Sequence, residues 1–191
     1  DLKERHGLEI GDQTLLVTYH PVTLQYEHTE NHMTALLDAL DEVGLPVVFT
    51  YPNKDTQSRV IVDMVRGFAE KRPNVQVVVN LGIQGYFSLM NLAACMIGNS
   101  SSGIIEAASF RLPVVNIGDR QRGRHHSTNV IDVGYCKDEI VAGIKTAIDP
   151  EFTASLAGLN HIDIEVVKCF WLFRHRLGQC GSRFDIVNDS D

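Results

Sequence analysis

The chain has 191 residues, 44% of them hydrophobic and 21% charged, and a formal net charge of −7 at pH 7. That length supports one sizeable core, and no apolar run reaches the roughly 18 residues expected of a membrane helix. An acidic chain lacks the basic excess of a general nucleic-acid binder, so any anion site has to be built locally, against the overall field.

Residues 1–9 read as a charged, helix-like lead-in and not as a signal peptide. A β-branched apolar run over 14–18 predicts a strand that ends at His20-Pro21. Met33, Leu36, Leu37, Leu40 and Val43 then recur at helical spacing over 29–43, and Gly44 is placed to close that helix at positive φ. Further strands are predicted over 46–50, 75–79, 95–97, 113–117 and 129–132. Helices are expected over about 56–70, 84–93, 101–110 and 137–148. Short, largely non-alternating apolar strands separated by amphipathic helices predict a parallel sheet covered on both faces. The fold class is therefore α/β, a Rossmann-like doubly wound domain over residues 13–149. From about Leu156 the pattern lapses. A helix over 162–177 fits, but 178–191 is Gly-, Ser- and Asp-rich and reads as poorly ordered.

The cysteines Cys95, Cys136, Cys169 and Cys180 are widely spaced and form no CxxC pattern, so neither zinc nor redox chemistry is expected. Cys95 lies in an apolar run and reads as a small buried hydrophobe. Unpaired thiols suit a reducing compartment, here the cytoplasm.

In open α/β sheets ligands bind beyond the carboxyl ends of the strands, and the polar clusters of this chain fall there. His20 follows the first strand, Asn53 and Asp55 the second, the segment 98–103 the fourth, and Arg120 the fifth. In Gly98-Asn99-Ser100-Ser101-Ser102-Gly103 a strand turns directly into a helix. Its free N–H groups and positive dipole end would face an anion, the glycines would allow close approach, and the serine hydroxyls would add donors. Capping by Ser100 or Ser101 is the structural alternative, but capping needs one such residue and here there are several. Glu106 suits either a ribose diol or a favourable charge near a helix start, worth under about 1 kcal/mol, and spacing does not separate the two. The loop from Arg120 to His126 concentrates positive charge, and arginine forks match phosphate oxygens. For Arg122 and Arg124 a solvated loop explains the charge as well. The His125-His126 pair has no third ligand to complete a metal site.

Four segments carry a family resemblance. They are Thr18-Tyr19-His20-Pro21-Val22-Thr23, Pro52-Asn53-Lys54-Asp55 with Ser58-Arg59, the stretch from Cys95 to Glu106, and the stretch from Pro113 to Arg124. Over residues 10–150 the chain resembles the UDP-N-acetylglucosamine 2-epimerase family. Its Gly-Asp-Arg-Gln variant is similar to bacterial hydrolysing members that feed sialic and legionaminic acid synthesis. The resemblance implies a glycosyltransferase-B-type fold of two Rossmann-like domains. Residues 1–155 would be the UDP-binding, C-terminal half, 156–191 an atypical tail, and the N-terminal catalytic domain would lie outside the chain. It implies that His20, Asn53, Ser100, Ser101, Ser102, Gly103, Glu106 and Arg120 hold UDP. Glu106 would take the ribose, while the serines, Arg120 and His20 face the diphosphate. The implied substrate is UDP-N-acetylglucosamine or a UDP-diacetamido sugar, with no cofactor and no metal. No nucleic-acid or membrane partner is expected, and the full-length protein is expected to be a homo-oligomer. His20 is the one candidate for catalysis within the chain. After Leu159 the family's closing segment is replaced by unfamiliar sequence, so a fragment or a shifted reading frame is expected. The donor-nucleotide domain of a glycosyltransferase of the same fold is the competing reading.

Overall fold

In a computed structural model describing residues 2–22, 27–51 and 59–159, the strands are β1 (Leu15–Thr18), β2 (Val47–Thr50), β3 (Val75–Val78), β4 (Cys95–Gly98), β5 (Val114–Ile117) and β6 (Val130–Val133). All pair in parallel, in the order β3-β2-β1-β4-β5-β6. The helices are α1 (Leu2–His6), α2 (Thr29–Val43), α3 (Arg59–Ala69), α4 (Gly82–Leu92), α5 (Ser101–Ile105), α6 (Lys137–Ala147) and α7 (Pro150–Ser155). Asn53, Asp55, the first residues of the helix expected over 56–70, and the helix expected over 162–177 lie outside the described residues.

The central strands explain why alternation is missing from the sequence. Every residue of β1, β4 and β5 is buried, because both sheet faces are covered. Leu15, Val17, Cys95, Ile97, Val115 and Ile117 pack with α2, α3 and α6 on one face. Leu16, Met96 and Val114 point the other way, into a second cluster with Leu2, Leu89 and Met90 from α1 and α4. Each fully buried aliphatic side chain contributes about 1.5–3 kcal/mol relative to exposure. The outer strands β3 and β6 are only partly covered.

Three local features sharpen the sequence reading. Gly44 closes α2 at φ 69° and donates its N–H to Leu40 O, as its position predicts. The helix expected over 101–110 instead breaks at Glu106, and a 3-10 turn continues over Ala107–Phe110. This tighter turn seats Ala107 and Ala108 in the core, and Arg111 ends it at φ 52°. The helix α7 was not anticipated. Its signal is Asp149-Pro150, since the Asp149 carboxylate accepts from Glu151 N–H and Phe152 N–H with proline at the helix start.

The order of strands reverses between β1 and β4. The chain builds outward from β1 to β3, crosses back to β4, and continues to β6, leaving a crevice above the carboxyl ends of β1 and β4. Thr18 and Gly98 are register partners at that point. Gly98 has φ 135°, and a Cβ built on it would fall 2.0 Å from Thr18 O. Only glycine lets the two strand ends approach this closely. Gly98→Ala should therefore lower unfolding free energy by about 3 kcal/mol or more. Gly123→Ala, at φ 80° with nothing near its would-be Cβ, should cost about 1 kcal/mol. Urea denaturation of both variants checks this, and equal losses would show that close packing is not what demands glycine at 98.

Candidate functional site

The crevice is organised by Asn99, whose side chain is fully buried. Its Oδ1 accepts the His20 N–H at 2.7 Å, and its Nδ2 donates to His20 O at 2.8 Å. Its own N–H donates to Thr18 O at 3.3 Å. This side chain reproduces a strand-like pairing one residue beyond the point where β1 and β4 diverge. The carbonyl of Asn99 accepts from Arg120 Nη1 at 3.0 Å and from Gln121 Nε2 at 2.7 Å. One residue thus ties together the ends of β1 and β4 and the turn after β5.

Next to it, Ser100 caps α5. Its Oγ accepts from Ser102 N–H at 3.3 Å, and its carbonyl accepts from Gly103 N–H at 3.2 Å. The capping reading of Ser100 is therefore realised, while Ser101 and Ser102 stay partly exposed on the first turn. Two expectations change in their physical basis. At five residues α5 is too short to gather a full macrodipole, so anion attraction here falls to local N–H and hydroxyl groups and to Arg120. The glycines also serve internal packing rather than open approach. Gly98 meets Thr18, and a Cβ on Gly103 would fall 2.9 Å from Val114 Cγ1.

Glu106 follows α5, half-buried, and donates its N–H to Ser102 O. Beside it stands Tyr86 of α4, which the sequence reading missed. Its hydroxyl lies 3.4 Å from Thr18 Oγ1, and Thr18 Oγ1 lies 2.6 Å from Thr50 Oγ1 on β2. Burial pushes the Tyr86 phenol up; hydrogen bonds to Thr18, Ser102 and Ser100 pull it down, and the charge of Glu106 raises it. The phenol stays protonated at neutral pH and supplies a donor at the base of the crevice. The signal for Tyr86 was weak, because an aromatic on an amphipathic helix reads as core.

Arg120 is an exposed residue whose head group is partly buried where it donates to Asn99 O. Burial, and then the neighbouring charge of Arg124, hold it below the usual guanidinium range, yet it remains a cation. Among the described residues one N–H is used on Asn99, which leaves further donors of the guanidinium fork for phosphate oxygens. Gln121 beside it is 3% exposed. It went unremarked because glutamine in a charged loop normally faces solvent. Arg122, Arg124 and His125 are exposed. His126 Nε2 lies 3.1 Å from Asp132 Oδ2, and Asn116 Nδ2 donates to the other Asp132 oxygen at 2.7 Å. The structure thus gathers His20, Ser100, Ser101, Ser102, Gly103 and Arg120 around one junction, with Glu106 just beyond α5. Asn53 lies outside the described residues.

Residues 2–161 match the family model for UDP-N-acetylglucosamine 2-epimerase. The chain belongs to the UDP-N-acetylglucosamine 2-epimerase family. It is 39% identical over 134 residues to the GDP/UDP-N,N'-diacetylbacillosamine 2-epimerase (hydrolyzing) of Campylobacter jejuni, a match covering 69% of this chain and 35% of that protein. It is 34% identical over 146 residues to the UDP-N,N'-diacetylbacillosamine 2-epimerase (hydrolyzing) of Legionella pneumophila, covering 76% and 38%. The chain thus spans little more than a third of these relatives' length. Its fold is like that of the UDP-GlcNAc 2-epimerase of Neisseria meningitidis bound to UDP-GlcNAc, with a TM-score of 0.63 at 16% identity over 83% of this chain and 42% of that one. The family matched is the epimerase one that the four sequence segments resemble.

In this epimerase-family chain the Asn99 amide is both donor and acceptor toward His20. Asn99→Asp keeps the shape but sets a carboxylate oxygen against His20 O. That should destabilise the fold by about 2 kcal/mol or more at pH 7. The buried carboxyl would favour its protonated form, which can still donate, so its folded-state pKa would be raised. The deficit is then smallest below the ordinary aspartate range and grows as pH rises. Denaturation at pH 4 and pH 7 measures it, and a deficit independent of pH would contradict the donor role.

Proposed function

We propose that this chain is the UDP-gripping, C-terminal half of a hydrolysing UDP-sugar 2-epimerase, with residues 1–155 as the binding domain. The observation that carries the reading is that Asn99 holds Ser100, His20 and Arg120 around one crevice at the strand-order switch. A crevice of this kind is where doubly wound sheets take nucleotides. Ser101 supplies a first-turn N–H and a hydroxyl for the diphosphate, Ser102 adds its hydroxyl, and Arg120 supplies the charge. Glu106 accepts hydrogen bonds from the ribose diol, and the Tyr86 phenol closes the base of the crevice. Asn53 joins the nucleotide contacts on the strength of the family resemblance.

The reaction proposed for the whole protein is an elimination followed by a hydration. A base removes the C2 proton as the C1–O bond breaks, and the electron pair leaves with UDP to give a glycal. Water then adds, with hydroxyl at C1 and a proton at C2 on the opposite face. The residues of this chain serve the leaving group. Donors fixed before the reaction stabilise the charge gathering on the diphosphate. The carboxylates that move the C2 proton and activate water are assigned to the part of the relatives' length that this chain does not span. His20 is the candidate within the chain that could assist. The two diacetylbacillosamine relatives favour a UDP-diacetamido sugar over UDP-N-acetylglucosamine, in a route to sialic- or legionaminic-type acids. A nucleotide-sugar substrate fits a cytoplasmic location, and no helix among the described residues is long and apolar enough to cross a membrane. Pairing with further copies is proposed for the full-length protein.

Calorimetric titration of the 191-residue chain should show UDP binding. Arg120→Ala should weaken it about tenfold, or ~1.4 kcal/mol, on the scale of a lost charge-assisted bond. An unchanged affinity removes Arg120 from the site, and no binding by the parent chain removes the function. The chain alone should release no UDP from UDP-N-acetylglucosamine or a UDP-diacetamido sugar. Turnover would show that the proton-transfer groups lie within these residues after all.

A further inference from the structure

Arg120 depends on something other than its own contacts for its placement. Its side chain is long, exposed and anchored at one described point, Nη1 on Asn99 O, and such a side chain carries large rotamer freedom. Where the guanidinium sits is set first by the backbone turn Gly118-Asp119 that leads into it.

That turn rests on Tyr135, in the connection between β6 and α6. Gly118 has φ 73°, and a Cβ built there would fall 2.1 Å from Tyr135 Cζ and 2.3 Å from its hydroxyl oxygen. The phenol oxygen accepts the Asp119 N–H at 3.2 Å. Gly118 N–H donates to Val133 O at 2.8 Å, so the β5–β6 ladder runs up to the ring. Tyr135 also stacks with His32 of α2, with ring centroids 3.6 Å apart and planes 7° from parallel. Burial, then the nearby His28, lower the His32 pKa and favour the neutral ring. The tyrosine is wedged between α2 and the turn, and the body of the ring joins the core.

We propose that Tyr135 is a positioning residue for the anion pole of the site: it fixes the Gly118-Asp119 turn and thereby presents Arg120 to the diphosphate, which it does not touch. This rests on the UDP-binding reading given above. The selectivity of the effect follows from the geometry. A misplaced Arg120 loses contact with phosphate oxygens, while contacts to ribose and base are made from other elements and persist.

Tyr135→Phe keeps the ring and its stack and removes only the hydroxyl acceptor. The test compares the 191-residue chain, Tyr135→Phe, Arg120→Ala and the double variant, titrated with UDP and with uridine, and follows amide hydrogen exchange across 118–121 without ligand. Tyr135→Phe should raise the Kd for UDP about threefold to tenfold, leave that for uridine unchanged, and speed exchange at the Asp119 amide. In the Arg120→Ala background the same change should have no further effect, the non-additivity expected of residues acting through one group. Unchanged UDP affinity, an equal loss for uridine, or losses that multiply in the double variant would each overturn the proposal. If the parent chain binds no UDP, the proposed function fails instead. The exchange measurement still judges Tyr135 in that case, since unaltered protection at Asp119 overturns its hold on the turn.

Discussion

The structure turns on how two parallel strands are allowed to part. Parallel neighbours normally share a ladder to their ends and then separate, leaving N–H and carbonyl groups to find partners elsewhere. Here Gly98 brings β4 close against Thr18, and Asn99 then uses a buried amide to satisfy both backbone groups of His20. The base of the crevice is therefore closed without an unsupported strand end. The same residue offers its carbonyl to Arg120 and Gln121, so the turn after β5 is referenced to the divergence point rather than left to the loop. A site assembled this way has its donors in place before any ligand arrives, which is the condition for affinity without a large ordering cost.

Much of this was legible in the sequence, for identifiable reasons. The strands were readable because both faces of the sheet are covered, which turns each central strand into an unbroken apolar run such as Leu15-Leu16-Val17 or Cys95-Met96-Ile97. The site was approachable because a doubly wound sheet confines ligands to one rim, so polar residues directly after strands stood out. What stayed hidden was cooperation between distant positions. Asn99 was visible as part of a Gly-Ser loop, but its partner lies 79 positions away. Tyr86 and Tyr135 look like ordinary core aromatics until the fold brings one hydroxyl to Thr18 and the other to Asp119. Glycine reasoning went astray in a similar way. Gly98 and Gly103 admit other parts of the protein, and nothing local distinguishes that from admitting a ligand.

The electrostatics follow from scale. A net charge of −7 is set by the whole surface, and solvent and salt screen it over about a Debye length. Within the crevice the nearest groups decide. The short α5 contributes a first turn of N–H and hydroxyl groups but little dipole, so the cation has to be near, and Arg120 is brought in by a bond to the very loop that caps α5. Its partial burial lowers its pKa only against a very high starting value, so the charge persists while its hydration is trimmed. That combination strengthens attraction to phosphate relative to a fully solvated arginine such as Arg122.

A donor-rich rim of this kind suits one part of an elimination and not the others. A leaving diphosphate gains charge as its bond to the sugar breaks, and fixed hydrogen-bond donors lower that barrier without changing their own protonation state. Removing a carbon-bound proton needs a group that accepts it, within hydrogen-bond reach. Asp132, though it stands at the same edge of the sheet, is already held by Asn116 and His126. Glu106 sits beyond α5 beside the Tyr86 phenol, where a carboxylate can accept from hydroxyls, the ribose role given to it in the proposed function. Separating the grip from the proton transfers has a mechanical consequence. In the proposed function the nucleotide would be held at this crevice while the sugar is presented to groups carried elsewhere, so the sugar's chemistry would vary without disturbing the Asn99 junction.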